Sequence, residues 1–327
     1  MADFGADLAT PMAIRVVATL RIADHITRGL RTAPELAGAS RANADALDRV
    51  LRHLVKAGLF TCDEAGRYSL TARGEELRDD HPTGTRALLD IEGAIGRADL
   101  SFVQLLHSVH SGEAGYPLQF GRTFWDDMAA DPARAASFDA RMGHDVAADA
   151  PEIVSGYDWA SLGHVVDVGG GNGALLIALL TAHPALRGTV FDQPVAAEAA
   201  RNALNAAGLA SRAEAVAGSF FDPLPPGAGG YLLSAILHNW TDDAACAILR
   251  RCEEAAGTAA AVFVVEKIGA GGESLRTLMD LMMLVYFGGK ERGVAELGVL
   301  AERAGLRVVR VHPAGKLAIL ELRSRRS

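Results

Sequence analysis

The segment that most constrains this chain is a glycine-rich loop between an apolar run and an apolar helix-forming stretch. It reads Val165-Val-Asp-Val-Gly-Gly-Gly-Asn-Gly-Ala-Leu-Leu, so a β-branched run leads into three consecutive glycines. Loops of this kind let the backbone approach a ligand closely at the carboxyl end of a parallel sheet. The spacing of Gly169, Gly171 and Ala174 also satisfies a relaxed dinucleotide-binding pattern. By itself, the loop therefore leaves the class of ligand open.

Short β-branched runs alternate with alanine-rich stretches from about Leu162 onward. Strands and helices that alternate at this spacing predict a doubly wound α/β sheet. The last two runs are joined only by a turn at residues 313–315, which is too short for a parallel crossover, so these strands should pair antiparallel. We therefore predict a Rossmann-like parallel sheet with an antiparallel C-terminal strand. The predicted strands are residues 164–168, 188–192, 213–217, 230–234, 259–266, 306–311 and 316–322.

The first half of the chain has a helical pattern interrupted by one small hairpin. Apolar residues recur at helical spacing over residues 13–26 and 43–57, with a short helix expected over residues 33–36 between them. Residues 58–71 alternate about an Asp-Glu-Ala-Gly turn, as the two strands of a hairpin do. Helices followed by a hairpin are typical of a winged helix. Further helical stretches are predicted at residues 85–111 and 124–150.

Chain length indicates two domains. The sequence has 327 residues, about twice the length of an ordinary single domain. We place the boundary between the helical part and the sheet at residue 158, which gives domains of residues 1–158 and 159–327. The helical part is interpreted as a dimerisation domain, because its first helix is apolar and its charges are balanced. We therefore predict a homodimer.

The charge balance argues against a polyanionic partner. Lys and Arg total 32 against 40 Asp and Glu, a formal charge of −8, which opposes non-specific attraction to nucleic acid. Asp45 and Asp48 also lie in the first turns of the helix that would read DNA in a winged helix. A DNA-binding regulator is therefore a minor alternative, and no nucleic acid partner is predicted.

Other classes of protein are disfavoured by what the chain lacks. No apolar window is long enough to span a membrane, and the acidic start is unlike a secretory signal, so a cytoplasmic location is predicted. The cysteines at 62, 246 and 252 are too few and too irregularly spaced for a disulfide framework or a zinc knuckle. His107 and His110 have helical spacing but no third ligand near them in sequence, so no metal site is predicted.

Two aspartates near the glycine loop indicate which ligand it binds. Asp167 comes two residues before the first glycine, so its carboxylate would repel a pyrophosphate held by the loop. S-adenosylmethionine carries a sulfonium and an ammonium group and no phosphate, so its charge suits this carboxylate. Asp192, at the end of the next predicted strand, could accept hydrogen bonds from the ribose hydroxyls of either ligand. The pair favours S-adenosylmethionine, and a nicotinamide oxidoreductase is a lesser alternative.

Further motifs occur along almost the whole chain. They begin with Thr10-Pro-Met-Ala-Ile-Arg-Val-Val and Phe191-Asp-Gln-Pro, continue with Gly218-Ser-Phe-Phe-Asp-Pro-Leu-Pro and Leu237-His-Asn-Trp-Thr-Asp-Asp, and end with Asp280-Leu-Met-Met-Leu-Val-Tyr-Phe-Gly-Gly-Lys-Glu-Arg. With these motifs the sequence resembles the S-adenosylmethionine-dependent O-methyltransferases, which include caffeate-type plant enzymes and actinobacterial polyketide enzymes. Within them it is most similar to the anthracycline (carminomycin-type) 4-O-methyltransferase branch.

The resemblance implies a set of cofactor-binding residues. Asp192 matches the family's ribose carboxylate, Ser219 and Phe220 match its adenine-side pair, and Trp240 would cover the adenine ring. The family usually has Asp where this chain has Ser219, which makes hydrogen bonding to the adenine amino group weaker or different. The complete set expected to bind S-adenosylmethionine is Asp167, Gly169, Gly171, Asp192, Gln193, Ser219, Phe220, Ser234 and Trp240.

The resemblance also implies catalytic and acceptor-binding residues. The family's general base falls on His238, and the two acids that orient or flank it in plant enzymes fall on Glu266 and Glu291. Asn239 follows the base where the family has Asp, which removes a carboxylate that would raise the pKa of the base. Two of the pocket positions, at 138 and 142, fit an ordinary helix core equally well. The residues expected to bind the acceptor are Phe138, Met142, Asn239 and Met283.

The chemistry fits these residue types. Methyl transfer is an in-line displacement, so the enzyme must align a nucleophilic oxygen and assist the loss of its proton. A His with a pKa of about 6.5 can take a phenol proton as the oxygen attacks, although alignment alone suffices in some relatives. The predicted function is methylation of a phenolic hydroxyl on a polyketide-like aromatic natural product, with S-adenosylhomocysteine as second product. N- or C-methylation and non-methyl-transfer chemistry, such as hydroxylation, decarboxylation or a pericyclic step, are the alternatives.

Overall fold

The computed structural model describes residues 7–269, 271–274 and 276–326. These residues form two compact units, and each is described by itself. The first unit contains the chain up to Phe102 together with Phe124–Phe138, and the second contains Val103–Thr123 and the chain from Asp139 onward. The boundary at residue 158 between the two expected domains differs from this division and stays a prediction.

The first unit begins with four helices and a two-stranded antiparallel hairpin, where the sequence predicts three helices and then a hairpin. A capping box of Thr32 and Glu35 begins the third helix, and the side chain of Asn43 accepts a backbone hydrogen bond at the start of the fourth. Leucines of these helices pack with Phe60 and Tyr68 of the hairpin in one apolar core. The elements are α1 (Ala9–Thr19), α2 (Ile22–Thr27), α3 (Ala33–Ser40), α4 (Ala44–Lys56), β1 (Phe60–Cys62), β2 (Tyr68–Leu70), α5 (Ala72–Glu75), α6 (Thr85–Leu89) and α7 (Ala94–Asp99).

Helix α4, which would contact DNA in a winged helix, is tied to the hairpin by a partly buried hydrogen bond. The hydroxyl of Tyr68 donates a hydrogen bond of 2.7 Å to Asp48. The same carboxylate pairs with Arg52 at 2.9 Å. Asp48 therefore links α4 to β2.

Two stretches predicted as continuous helices are interrupted. The chain over residues 13–26 divides at Arg21, whose φ of 54° ends α1 and redirects the chain into α2. The stretch over residues 85–111 divides at Asp90, whose ψ of 110° is extended, and Gly96 packs against the Asp90 carbonyl, where a Cβ would lie 2.1 Å from the oxygen. It continues through a 3-10 turn and then α8 (Leu105–Ser111).

The stretch predicted over residues 124–150 is also divided. The side chain of Asp131 accepts hydrogen bonds of 3.0 and 3.1 Å from the next two available backbone N–H groups, and so begins a new helix. Pro132 follows it and cannot continue the preceding helix, because it lacks an N–H. The helices of this region are α9 (Tyr116–Phe120), α10 (Phe124–Ala130) and α11 (Pro132–Gly156).

The second unit is built on a sheet of seven strands. Its elements are β3 (His164–Val168), α12 (Ala174–Ala182), β4 (Arg187–Asp192), α13 (Pro194–Ala206), β5 (Ala213–Ala217), β6 (Gly230–Ser234), α14 (Asp242–Ala256), β7 (Ala261–Glu266), α15 (Thr277–Phe287), α16 (Val294–Arg303), β8 (Leu306–Ala314) and β9 (Leu317–Ser324). The order across the sheet is β5-β4-β3-β6-β7-β9-β8. Strands β3 to β7 are parallel, and β9 pairs antiparallel with both β7 and β8. The predicted doubly wound sheet with an antiparallel end is confirmed.

The predicted turn between the last two strands is misplaced by two residues. Pro313 and Ala314 belong to β8 and pair with Ala318 and Leu317 of β9. The chain reverses at the two residues between the strands, where Gly315 has a φ of 62°. A proline is tolerated in β8 because this strand lies at the edge of the sheet, where no neighbour needs its missing N–H.

The topology brings four polar side chains together where the parallel strands end, and this carboxyl-end edge of the sheet is distinct from its outer strands. Strands β4, β3, β6 and β7 are neighbours, and their carboxyl ends carry Asp192, Asp167, Ser234 and Glu266 respectively. Because the strand order reverses beside β3, the glycine loop that follows β3 opens onto a topological switch point. Apolar clusters cover both faces of the sheet beneath this edge. A ligand site is expected at this edge.

Among the residues that the structure describes, no helix combines the length and the apolar character that a membrane span requires.

Candidate active site

The glycine loop lies directly against the carboxylates at the strand ends. The N–H of Gly171 donates a hydrogen bond of 2.7 Å to the Oδ2 of Asp192. A Cβ on Gly170 would lie 2.6 Å from the Oδ2 of Asp167, and one on Gly169 would lie 2.6 Å from the side chain of Ile236. The loop therefore forms a backbone cradle that side chains would fill.

Asp167 is a buried acid without a hydrogen-bond partner on one of its oxygens. The residue is 2% exposed, and its Oδ2 has no partner among the described residues. Burial, and then the charge of Asp192, raise its pKa to about 7. An unpaired buried carboxylate is costly unless a positive group comes to it. The site is therefore suited to a cationic ligand.

Two further carboxylates surround the same position. Asp192 binds the backbone N–H groups of Gly171 and Gln193, at 2.7 and 2.6 Å, and burial still raises its pKa. Asp139 on α11 lies near it, and burial followed by the charge of Asp192 raises the pKa of Asp139 as well. Sequence analysis missed Asp139, because one acid on an amphipathic helix gives no sign of which strand end it will face.

The three carboxylates decide which of the predicted ligands fits. A sulfonium and an ammonium group would relieve the repulsion among Asp139, Asp167 and Asp192, whereas a pyrophosphate would add to it. The Oδ2 of Asp167 shows whether the residues fit a cationic ligand, because it is a hydrogen-bond acceptor with no partner among the described residues. The residues present therefore fit S-adenosylmethionine.

A substitution at Asp167 should separate the stability of the empty protein from ligand binding. The pKa of this acid is higher in the folded chain than its ordinary value of about 4, so the folded state binds its proton more tightly. Its contribution to stability therefore falls as pH rises from about 4 to 7. We expect ligand-free Asp167→Asn to be more stable than wild type at pH 8, by on the order of 2–4 kcal/mol, and little changed at pH 4. Thermal unfolding at both pH values measures this.

The same variant should bind a cationic cofactor more weakly, because an amide replaces the carboxylate. Calorimetric titration with S-adenosylmethionine at pH 8 measures that loss. An equal shift in melting temperature at both pH values, or unchanged affinity, contradicts the electrostatic account.

The residues predicted for the adenine side form an aromatic group. The ring centroids of Phe220 and Trp240 are 5.7 Å apart, and Phe221 lies 5.0 Å from Trp240, all in edge contacts. The hydroxyl of Ser219 accepts a hydrogen bond of 3.2 Å from the backbone of Phe221. The structure therefore brings Phe220 and Trp240 together, and their contact with an adenine ring stays a prediction. Gln193 begins α13 with its side chain exposed.

His238 lies in a one-turn 3-10 helix, Leu237–Asn239, between two glutamates. Its Nδ1 is 2.8 Å from the Oε1 of Glu291 and 3.9 Å from the Oε2 of Glu266. The side chains of His238, Glu266 and Glu291 are 14, 7 and 3% exposed, so water screens these charges little. Because Nδ1 donates to Glu291, Nε2 is the nitrogen that can take a proton from a substrate.

The pKa values of the two glutamates are shifted in opposite directions, and both glutamates raise the pKa of His238. Burial alone would lower the pKa of His238, but the charge of Glu266 and the hydrogen bond and charge of Glu291 outweigh it, so the pKa is raised. Burial would raise the pKa of Glu291, but the bond to His238 and the charge of Arg276 lower it. Burial dominates at Glu266, whose pKa is raised. Glu291 is therefore the charged partner of the imidazole.

The residues predicted for the acceptor pocket are distributed over both units. In the first unit, Phe138 contacts Phe124 and Trp125, with centroids 5.4 and 5.7 Å away. In the second unit, Met142 lies on α11 and Met283 is buried on α15. Asn239 follows His238 and donates a hydrogen bond of 3.4 Å to the carbonyl of residue 235. The roles of all four in acceptor binding stay predictions.

The two histidines with helical spacing show no ligand geometry. His107 lies 3.9 Å from the carboxylate of Glu113, and His110 is exposed on the same helix. Within residues 7–269, 271–274 and 276–326, no group of three or more His, Cys, Asp or Glu side chains is arranged to hold a metal ion.

Comparisons with known proteins identify the family. A model of the O-methyltransferase domain matches residues 102–307, and a model of the O-methyltransferase dimerisation domain matches residues 5–79. The chain belongs to the O-methyltransferase family, and the resemblance drawn from its sequence motifs is confirmed.

Individual relatives agree with the family assignment. The 2,7-dihydroxy-5-methyl-1-naphthoate 7-O-methyltransferase of Streptomyces carzinostaticus is 58% identical over 317 residues, which cover 97% of this chain and 95% of that enzyme. Aclacinomycin 10-hydroxylase RdmB of Streptomyces purpurascens is 41% identical over 321 residues, covering 96% of this chain and 85% of that protein.

A solved structure matches the whole fold. The O-methyltransferase NcsB1 from neocarzinostatin biosynthesis, crystallised with S-adenosylmethionine and 2-hydroxy-5-methyl naphthoic acid, matches with a TM-score of 0.92 at 57% identity. The match covers 98% of this chain and 97% of NcsB1. The predicted fold class is therefore confirmed over nearly the whole length.

Proposed function

We propose that this enzyme transfers the methyl group of S-adenosylmethionine to a phenolic hydroxyl of a small aromatic acceptor, with S-adenosylhomocysteine as the second product. One observation carries the proposal. His238, held by the buried Glu291, lies at the same sheet edge as Asp167, whose buried oxygen has no partner among the described residues. A base and a site for a sulfonium cofactor are the two parts that phenol methylation needs.

The protein's part in cofactor binding follows from its charges and rings. Asp192 would accept hydrogen bonds from the ribose hydroxyls, and Asp167 and Asp139 would balance the positive charge of the methionine part. Phe220 and Trp240 would pack against the adenine. When bound, S-adenosylmethionine supplies an electrophilic methyl group, so catalysis by the protein consists of alignment and proton removal.

Proton removal is assigned to His238. A phenol has a pKa of about 10 and is a weak nucleophile when protonated. The Nε2 of His238 would accept the phenol proton as the oxygen attacks, which is general base catalysis. Glu291 stabilises the imidazolium that forms, through its hydrogen bond of 2.8 Å to Nδ1. The charge of Glu266, whose Oε2 lies 3.9 Å from the same Nδ1, also raises the pKa of His238.

The acceptor is proposed to be a hydroxylated naphthoate or a similar bicyclic aromatic carboxylate, a building block of an antibiotic. The relative from S. carzinostaticus is named for such a substrate, and 58% identity over 97% of this chain supports a similar acceptor here. Arg276 supports this class independently, because it is a partly exposed cation 3.6 Å from Glu291 that could attract an acceptor carboxylate.

The proposal is tested in two steps with the purified protein. Calorimetric titration should give binding of S-adenosylmethionine and S-adenosylhomocysteine and none of NAD. Incubation of the protein and cofactor with 2,7-dihydroxy-5-methyl-1-naphthoate should then give a mono-O-methylated product by mass spectrometry. Binding of NAD alone overturns the cofactor assignment. A hydroxylated product would instead indicate chemistry like that of its hydroxylase relative, and a decarboxylated product would overturn methyl transfer.

We propose that the enzyme is a homodimer, as its match to the dimerisation domain over residues 5–79 supports. A monomeric mass in light scattering contradicts this. A cytoplasmic location, the absence of a membrane or nucleic acid partner, and the absence of a metal stay predictions from the sequence.

A further inference from the structure

Arg292 is a buried arginine that uses all of its donors within the protein. It is 4% exposed, and a guanidinium group has five N–H donors. Its Nη1 donates to the carbonyls of Leu237 and Lys290 at 2.8 and 3.1 Å. Its Nη2 donates to the carbonyl of Trp240 at 2.7 Å and to Asp242 at 2.8 Å, and its Nε donates to Asp242 at 3.0 Å.

Two of these acceptors bracket His238. Leu237 precedes the histidine and Trp240 follows it by two residues, so one planar guanidinium holds both ends of the 3-10 turn. A planar cation with donors in a fixed fork sets the distance between the carbonyls it binds. Arg292 therefore fixes the backbone from which the His238 side chain projects.

The residues before Arg292 contact the same turn. The N–H of Lys290 donates 2.9 Å to the carbonyl of His238. Gly289 lies so close that a Cβ on it would be 2.2 Å from that carbonyl oxygen. Glu291 binds the imidazole ring itself. One short segment therefore holds both the backbone and the ring of His238.

The Arg292 contacts differ from an ordinary surface ion pair. Arg303 pairs with Asp243, the neighbour of Asp242, at 2.6 Å, but these side chains are 42 and 91% exposed. Such exposed pairs contribute little. A buried guanidinium instead loses its hydration. Removing its acceptors leaves an uncompensated buried charge, and removing the arginine leaves the carbonyls without donors. Two of the five donor contacts are to carbonyls at the ends of the turn that carries the base, which indicates a role in the geometry of that turn.

We propose that Arg292 is a positioning residue for proton removal, which rests on the proposed function of His238 as the base. By holding the carbonyls of Leu237 and Trp240, Arg292 keeps the His238 ring within hydrogen-bonding distance of Glu291 and directs Nε2 at the acceptor hydroxyl. It does not touch the reacting atoms.

Arg292→Met tests the proposal, because methionine is an uncharged, flexible side chain that donates no hydrogen bond. We expect kcat to fall by about 10²-fold, the cost of a small displacement of a catalytic group, with smaller changes in KM and in cofactor affinity. The acid limb of the kcat/KM profile should also move to lower pH, because a displaced imidazole loses the charges of Glu266 and Glu291 that raise its pKa. Arg303→Met is the matched control and should retain wild-type kinetics.

A double variant separates positioning from general destabilisation. In the His238→Ala background, Arg292→Met should cost no further activity, since there is no imidazole left to position. A further loss of similar size in that background, or wild-type kcat and pH profile in Arg292→Met, overturns the proposal. Should Arg292→Met fail to fold, Asp242→Ala removes two of the five acceptor contacts, and kcat should fall about 10-fold. Wild-type kcat in that variant overturns the proposal equally.

The same measurements distinguish this proposal from the proposed function. Full activity of His238→Ala overturns the base and, with it, any positioning role for Arg292. A large loss in His238→Ala, together with an unaffected Arg292→Met, leaves the base in place and overturns only the positioning role.

Discussion

Replacement of His238 by Ala is expected to lower kcat by about 10²- to 10⁴-fold, the range that a positioned general base contributes. The loss should fall on kcat, because the imidazole interacts with the proton in transfer and adds little to binding of the neutral phenol. Cofactor affinity should remain near wild type, since the ribose, adenine and cationic contacts are assigned to other residues. Steady-state kinetics with a naphthol acceptor and calorimetry with S-adenosylhomocysteine measure the two effects.

The pH dependence gives a second signature of the same residue. His238 acts as a base only when neutral, and Glu266 and Glu291 raise its pKa, so activity should fall as pH falls through a value above the ordinary 6.5 or so. This limb should disappear in His238→Ala. His81→Ala, a histidine on a loop of the first unit, is the control. A wild-type rate in His238→Ala would show that alignment alone suffices.

Replacement of Asp192 by Asn should give the largest loss of cofactor affinity. The carboxylate is expected to accept charge-assisted hydrogen bonds from two ribose hydroxyls, each contributing about 1.5–3 kcal/mol. An amide keeps the size of the side chain but presents one acceptor without charge, so the Kd for S-adenosylmethionine should rise by about 10²-fold. Calorimetric titration of both proteins measures the change.

The loop geometry adds to this effect. Asp192 also accepts the N–H of Gly171 at 2.7 Å, so the variant loosens the glycine loop as well as the ribose contact. Asp45→Asn, at an exposed position on α4, is the matched control and should bind the cofactor with wild-type affinity. Equal affinity in Asp192→Asn means that the ribose is held elsewhere.

The sequence predicted the element types well because each type has its own apolar period. The strands of the sheet, their parallel arrangement and the antiparallel pairing at its end all followed from period and from loop length. Helix breaks did not follow. The left-handed conformation of Arg21 and the close approach of Gly96 to the Asp90 carbonyl leave the apolar period of the sequence unchanged, so that period did not indicate them.

The candidate site likewise contains residues that the sequence indicated and residues that it did not. Motifs led to the glycine loop, Asp192 and His238, and the sheet topology places their strand ends together. Asp139 and the guanidinium contacts of Arg292 could not be predicted, because they join segments far apart in sequence. Arg292 bonds to residues 50 to 55 positions earlier, and a single arginine in a sequence does not indicate which carbonyls it will bind.

The position of β9 has a consequence for the order in which the enzyme can mature during synthesis. Strand β7 carries Glu266 at its end, and its neighbour on one side is β9, where Glu266 pairs with Ala318. During synthesis on a ribosome, β7 therefore has an unpaired edge until some fifty further residues have emerged. Pairing between β7 and β9 is non-local, and non-local pairing slows folding. Open apolar edges are sites of aggregation. A nascent chain that stalls before Leu317 is thus expected to be both inactive and prone to self-association.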